Sequence, residues 1–75
     1  MTIELVKILE AALKNAKLAE TWFESYVETA DESDWNFCAR YNERVKGLLE
    51  AYEIMTGNHV NSGSVFIQEE LLTVA

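Results

Sequence analysis

Proline is absent, glycine occurs three times and cysteine once, and bases are scarce: six Lys and Arg stand against thirteen Asp and Glu, a formal net charge of −7. No run approaches the roughly eighteen apolar residues that a membrane span needs, so none is expected. The single cysteine, Cys38, excludes an intramolecular disulfide. One histidine beside one cysteine excludes an ordinary zinc site. The shortage of Lys and Arg argues against direct nucleic-acid binding, whose affinity comes from clustered cations that release counterions. Met1-Thr2-Ile3-Glu4-Leu5 has no basic segment ahead of an unbroken apolar run, so no signal peptide is expected. A cytoplasmic location follows as the default, and it suits an unpaired thiol. There is no Gly-rich phosphate loop, no Glu-x-x-His pair and no nucleophile elbow. The expectation is therefore a protein with no cofactor, no metal and no catalytic residues, a non-enzyme.

The chain does carry a core. Its hydrophobic content of 49%, with eight aromatic residues, is far above that of a disordered acidic tail. At 75 residues it makes one small domain. A domain near this size buries only about 60% of its unfolded surface and needs close packing or a partner chain.

Leu5, Leu9, Ala12, Ala16, Ala19, Phe23, Tyr26 and Ala30 recur at alternating steps of four and three, one stripe of a helix over residues 2–30. Thr2 suits its N-cap, and Glu10 with Lys14 is an i,i+4 pair in the favourable order. A second stripe, Cys38, Tyr41, Val45, Leu48, Tyr52 and Met55, predicts a helix over 33–56. The second stripe is out of phase with the first by one residue. Continuing the first would place Ser33 and Arg40 in the seam, so a turn is expected in the acidic run, with Asp31 or Ser33 as the new N-cap. A turn this short makes the helices antiparallel neighbours. Gly57 fits a left-handed C-cap. Gly47, inside the helix, costs about 1 kcal/mol against alanine. Residues 57–63 form a loop. Ser64, as N-cap, with Ile67, Leu71 and Val74 on one face predicts a short C-terminal helix over 64–74, although Ser64 to Ile67 could instead be extended. The fold class is thus all-α, a helical hairpin plus a short third helix in a single domain, 1–75.

Val6, Ile8, Leu13 and Val27 on the first helix, and Phe37, Leu49 and Ile54 on the second, widen the apolar arc beyond one two-helix contact. The expected remedy is a homo-oligomer, with a dimeric four-helix bundle favoured. The alternative is that the C-terminal segment folds over the hairpin and closes a monomeric core. Trp22 and Trp35 flank the turn, either packing the hairpin or anchoring a subunit or partner interface.

Glu20, Glu24, Glu28, Asp31, Glu32 and Asp34 form an acidic run with no base between Lys17 and Arg40. The first three repeat every four residues, so like charges line one face. Glu28 and Asp31 also stand at the negative end of the first helix dipole. Such a row is either a solvated tip or a docking surface for a basic patch on another protein, one that could fill a groove meant for phosphates. A calcium loop is disfavoured, because its ligand spacing and glycine are missing. Cys38 reads as a buried, inert thiol and His59 as a loop histidine. Arg40, Arg44 and Lys46 are expected to pair with Glu43, Glu50 or the first helix's acids.

Arg44-Val45-Lys46-Gly47-Leu48-Leu49-Glu50-Ala51-Tyr52-Glu53-Ile54-Met55-Thr56-Gly57 resembles the second helix of small uncharacterised proteins encoded by phages and prophages of Gram-positive bacteria. There a helix ending in a similar Gly-Leu-Leu-Glu-Ala to Thr-Gly stretch closes a hairpin. The resemblance covers about a third of the chain and rests on an apolar seam and a glycine cap. It implies a short accessory or host-takeover protein, a class that includes inhibitors of bacterial defence systems, and it carries over no functional residues. The function expected is a small acidic protein-binding module acting on a host protein. The alternative is a structural homo-oligomerisation module.

Overall fold

Two long helices and a short one make up the structure, a computed structural model that describes residues 3–75. The chain is all-helical, with α1 at Ile3–Thr29, α2 at Glu32–Thr56 and α3 at Ser64–Val74, and no strand among the described residues. The cap assigned to Thr2 lies outside the described residues. Overall dimensions of 41 × 19 × 17 Å mean that the molecule is as long as its first helix, about 40 Å at 1.5 Å per residue.

Leu9, Ala12, Ala16 and Ala19 are the buried face of α1. Three of the four are alanines, which let a neighbouring helix lie close. Against them α2 sets Cys38, Val45, Leu49 and Tyr52. The stripe read from the sequence needs correction at its edges: Phe23 and Met55 are 48% and 57% exposed, and Leu49 rather than Leu48 is the buried member of its pair. Glu10 and Lys14 form no ion pair, since the ion pairs among the described residues are Lys46 with Glu43 and His59 with Glu53.

Ala30 and Asp31 alone join α1 to α2. Ala30 adopts a left-handed backbone, φ 55°, and its N–H donates to the Tyr26 carbonyl at 2.7 Å. This satisfies one of the carbonyls that a helix end leaves unpaired. Asp31 then caps α2, its carboxylate accepting the Ser33 N–H at 2.9 Å. Glu32 and Asp34 fill the first turn of α2, where the helix dipole favours acids. At the far end Gly57 is also left-handed, φ 77°, and donates to the Glu53 carbonyl at 2.7 Å.

From Gly57 the chain climbs back along α2 as a strap. Val60 is buried midway, and Ser62 and Gly63 reach the level of Ala19 and Asn42. The helix α3 then descends along α1, with its backbone close to α1 and not to α2. Its N-cap is Gly63 without a side-chain bond, so Ser64 is the first helical residue rather than the cap. The Ser64 N–H instead donates to the Glu20 carboxylate at 3.4 Å. Ile67 and Leu71 complete the core with Leu9, Ala12, Ala16, Val45, Leu49, Tyr52 and Val60. Val6, Ile8 and Leu13 pack partly buried against this cluster. Much of the extra apolar arc of α1 is therefore used within the chain. Fully burying a side chain such as Leu9, Tyr52, Val45 or Ile67 contributes about 1.5–3 kcal/mol each.

Candidate functional site, an acidic and aromatic turn end

The core cluster ends near Ala16 on α1 and Val45 on α2. Beyond it the two helices run on to the turn through different chemistry. Asp34 is nine-tenths buried. Its carboxylate accepts the Ser25 hydroxyl at 2.5 Å and lies 3.1 Å from that of Thr29. The Thr29 hydroxyl is also 2.9 Å from the Ser25 carbonyl and accepts the Asp31 N–H at 3.3 Å. With one proton to give, it donates to either oxygen. Asp34 thus turns inward as a clamp between α1 and α2, away from the exposed row in which the sequence placed it. No buried side-chain nitrogen or oxygen among the described residues lacks a partner.

Glu20, Glu24, Glu28, Asp31 and Glu32 are exposed. Among the described residues no base lies within ion-pair distance of any of them. Of the cations expected to pair with Glu43, Glu50 or the acids of α1, Lys46 meets Glu43 and, among the described residues, none reaches an acid of α1. Lys46 sits 3.8 Å from Glu43, while Arg40 and Arg44 lie over the Phe37 and Tyr41 rings at 5.8 and 5.3 Å from the centroids. The turn end therefore keeps its negative field.

Aromatic pairs tie the helices beside the clamp. Trp22, half-buried, stacks on Phe37 with ring centroids 4.8 Å apart, and Tyr26 tilts against Trp35 at 5.4 Å. Trp35 remains 50% exposed, and Val27 is 66% exposed. The interface residues named from the sequence thus divide by height. Val6, Ile8 and Leu13 pack near the core, whereas Val27 and Trp35 face outward near the acids and Trp22 lies between the two helices.

Sequence reasoning passed over a groove between the helices on this side. Ala16, Ala19, Glu20, Phe23 and Glu24 line one wall, Cys38 and Asn42 the other, and Ser62 and Gly63 close its lower end. Cys38 is buried, with the Asn42 amide 3.6 Å from its sulfur. A signal existed: the apolar stripe of α1 continues from Ala19 to Phe23, beyond the level that Gly63 reaches.

Near the open end, Tyr52 is wholly buried and donates to the Glu70 carboxylate at 2.5 Å, linking α2 to α3. Burial first, then the Glu70 carboxylate, raises its pKa from 10 to about 12, against a small opposing effect of Asn58. His59 lies in the loop with Nδ1 3.2 Å from Glu53. No group of three or more His, Cys, Asp or Glu among the described residues is arranged to hold a metal. No helix of the described residues is long and apolar enough to cross a membrane. No family model matches the chain, and no similar curated protein or solved structure was found.

Proposed function

We propose that this chain is a non-enzymatic protein-binding module whose turn end meets a basic surface on another protein. One observation carries the reading: Glu20, Glu24 and Glu28 repeat along the exposed side of α1 without an ion-pair partner among the described residues, beside exposed Phe23, Val27 and Trp35. Mutual repulsion along that row opposes helix stability. A surface that joins apolar anchors to one sign of charge suits recognition of a partner of opposite charge. In this reading the protein works in the cytoplasm as a phage accessory protein that inhibits a host protein, by occupying a site the host uses for something else.

The test is capture from a bacterial lysate with the intact chain and with a Glu24→Lys, Glu28→Lys double variant, at low and high salt. The expected result is a protein retained at low salt, released by salt and lost with the variant. Undiminished capture by the variant would remove the acidic face from the function.

A second reading, homo-oligomerisation into a dimeric bundle, is favoured by Ile54 and Leu72, which are 78% and 74% exposed. Both are large apolar side chains on helices near the open end, where a second copy could cover them. Sedimentation at micromolar concentration decides it, and a monomer there ends this reading.

A further inference from the structure

The strap and α3 lay Val60, Ile67 and Leu71 into the α1/α2 groove from the open end up to Gly63, and there the covering stops. Above Gly63 the groove continues, with Ala19 and buried Cys38 in its floor and the half-exposed Phe23 ring and exposed Asn42 on its walls. We propose that this uncovered upper half receives a short amphipathic helix from a basic partner, seated end to end with α3. The proposal rests on the protein-binding reading above and specifies the partner's shape.

Three features define the occupant. The first is length: the groove's wall on α1 runs from Ala16 to Glu24, about 12 Å of helix, so a helix of about three turns fits, close to α3 at 11 residues. The second is pattern. The chain's own segment fills the lower half with Ile67 and Leu71 at i and i+4, and Val74 follows at i+7. A helix with the same spacing of apolar residues fits the upper half.

The third is charge. The α1 wall carries Glu20 and Glu24, with Glu28 one turn beyond, while Arg40 and Arg44 on α2 lie over rings instead of neutralising them. The occupant's polar edge on that side must supply Lys or Arg. The third helix of a second copy is a poor candidate, because its only charged residues are Glu69 and Glu70.

The test titrates the isotope-labelled intact chain, followed by NMR, with a designed 14-residue peptide that carries Leu at i, i+4 and i+7 and Lys or Arg elsewhere. A control peptide has the same composition with the leucines scattered around the helix. The expected shifts centre on Ala16, Ala19, Phe23, Cys38, Asn42 and Ser62, and the control binds at least about tenfold more weakly. Asn42→Arg, which places a bulky cation on an exposed wall position, weakens the designed peptide by about tenfold, with the far-UV spectrum unchanged. Equal binding of both peptides, with shifts confined to the outer carboxylates, overturns the groove assignment while leaving the acidic-face reading intact. No binding at millimolar peptide overturns the groove assignment. Shifts of the same groove residues with protein concentration alone, alongside a sedimenting dimer, identify a second copy as the occupant and overturn it as well. If Glu24→Lys with Glu28→Lys leaves groove binding unchanged, the basic partner is wrong in both proposals.

Discussion

At the open end of the hairpin, nine buried apolar residues from all three helices and the strap close on one another. At the turn end the same two helices are joined by a carboxylate, two hydroxyls and two aromatic pairs, with α3 absent. One end is held by apolar burial, which is non-directional and tolerates imprecise placement. The other is held by directional contacts that keep the helices paired while leaving Phe23, Val27 and Trp35 exposed. The apolar core and the row of exposed, unpaired acids are thereby placed at opposite ends of one short molecule.

The largest test of this contrast is truncation on either side of it. Leu9→Ala removes a wholly buried side chain and is expected to cost about 2–5 kcal/mol, on the order of the whole stability of a small domain. Phe23→Ala, on the same stripe but 48% exposed, is expected to cost less, about 1–2 kcal/mol. Thermal unfolding followed by circular dichroism measures both. Equal losses would mean that the turn end carries as much of the core as the open end.

Next in size is the clamp. Asp34→Ala removes the acceptor shared by Ser25 and Thr29 and an acid from the first turn of α2, for an expected loss of about 1.5–3 kcal/mol. Asp34→Asn, which keeps an acceptor oxygen, should lose less. Both tryptophans lie at the turn end, so their fluorescence reports that end while circular dichroism reports all three helices. In the Asp34→Ala variant, urea transitions that separate between the two probes would show that the turn end opens alone.

Those two substitutions mark how far the sequence could be read. Helix class and pairing were legible because Leu9, Ala12, Ala16 and Ala19 repeat at helical spacing and the second stripe slips by one residue across the acidic run. The course of α3 was not, because Ile67, Leu71 and Val74 show an apolar face without saying what it covers. The strap decides that, by climbing from Gly57 to Gly63 so that α3 must descend. Asp34 was read as one more surface acid, since composition treats all six acids alike. Yet four residues before Cys38 the second stripe reaches position 34, opposite the hydroxyls of Ser25 and Thr29, themselves four apart on α1. An acid in register with a seam, facing two hydroxyls, is a signal of an inward clamp.

Alkaline titration separates the ends without any truncation. The Tyr52 pKa of about 12 in the folded chain lies above its ordinary value of 10. The stabilisation linked to its neutral hydroxyl is fully present below pH 10 and is lost as pH rises from 10 through 12, where the unfolded chain has released a proton that the folded chain still holds. Tyr52→Phe is expected to flatten that part of the stability curve, as measured by urea midpoints between pH 9 and 12. An unchanged slope would show that the Tyr52 hydroxyl is not held buried against Glu70 in the folded chain.

The smallest expected effect concerns the two left-handed residues, one at each end. The open end uses Gly57, for which φ 77° costs nothing sterically, whereas the turn end uses Ala30 at φ 55°. An L-residue in that conformation costs about 1–2 kcal/mol, and glycine gives back about 0.5–1 kcal/mol through the greater freedom of the unfolded chain. Ala30→Gly should therefore stabilise by about 0.5 kcal/mol, a rise in Tm of about 2–4 °C for a domain of this size. If dichroism and tryptophan fluorescence rise together, relief at the turn is felt at the open end and the hairpin melts as one body. If only the fluorescence transition rises, the turn end is its own folding unit, and the strain at Ala30 keeps open the end where the acids and aromatics are displayed.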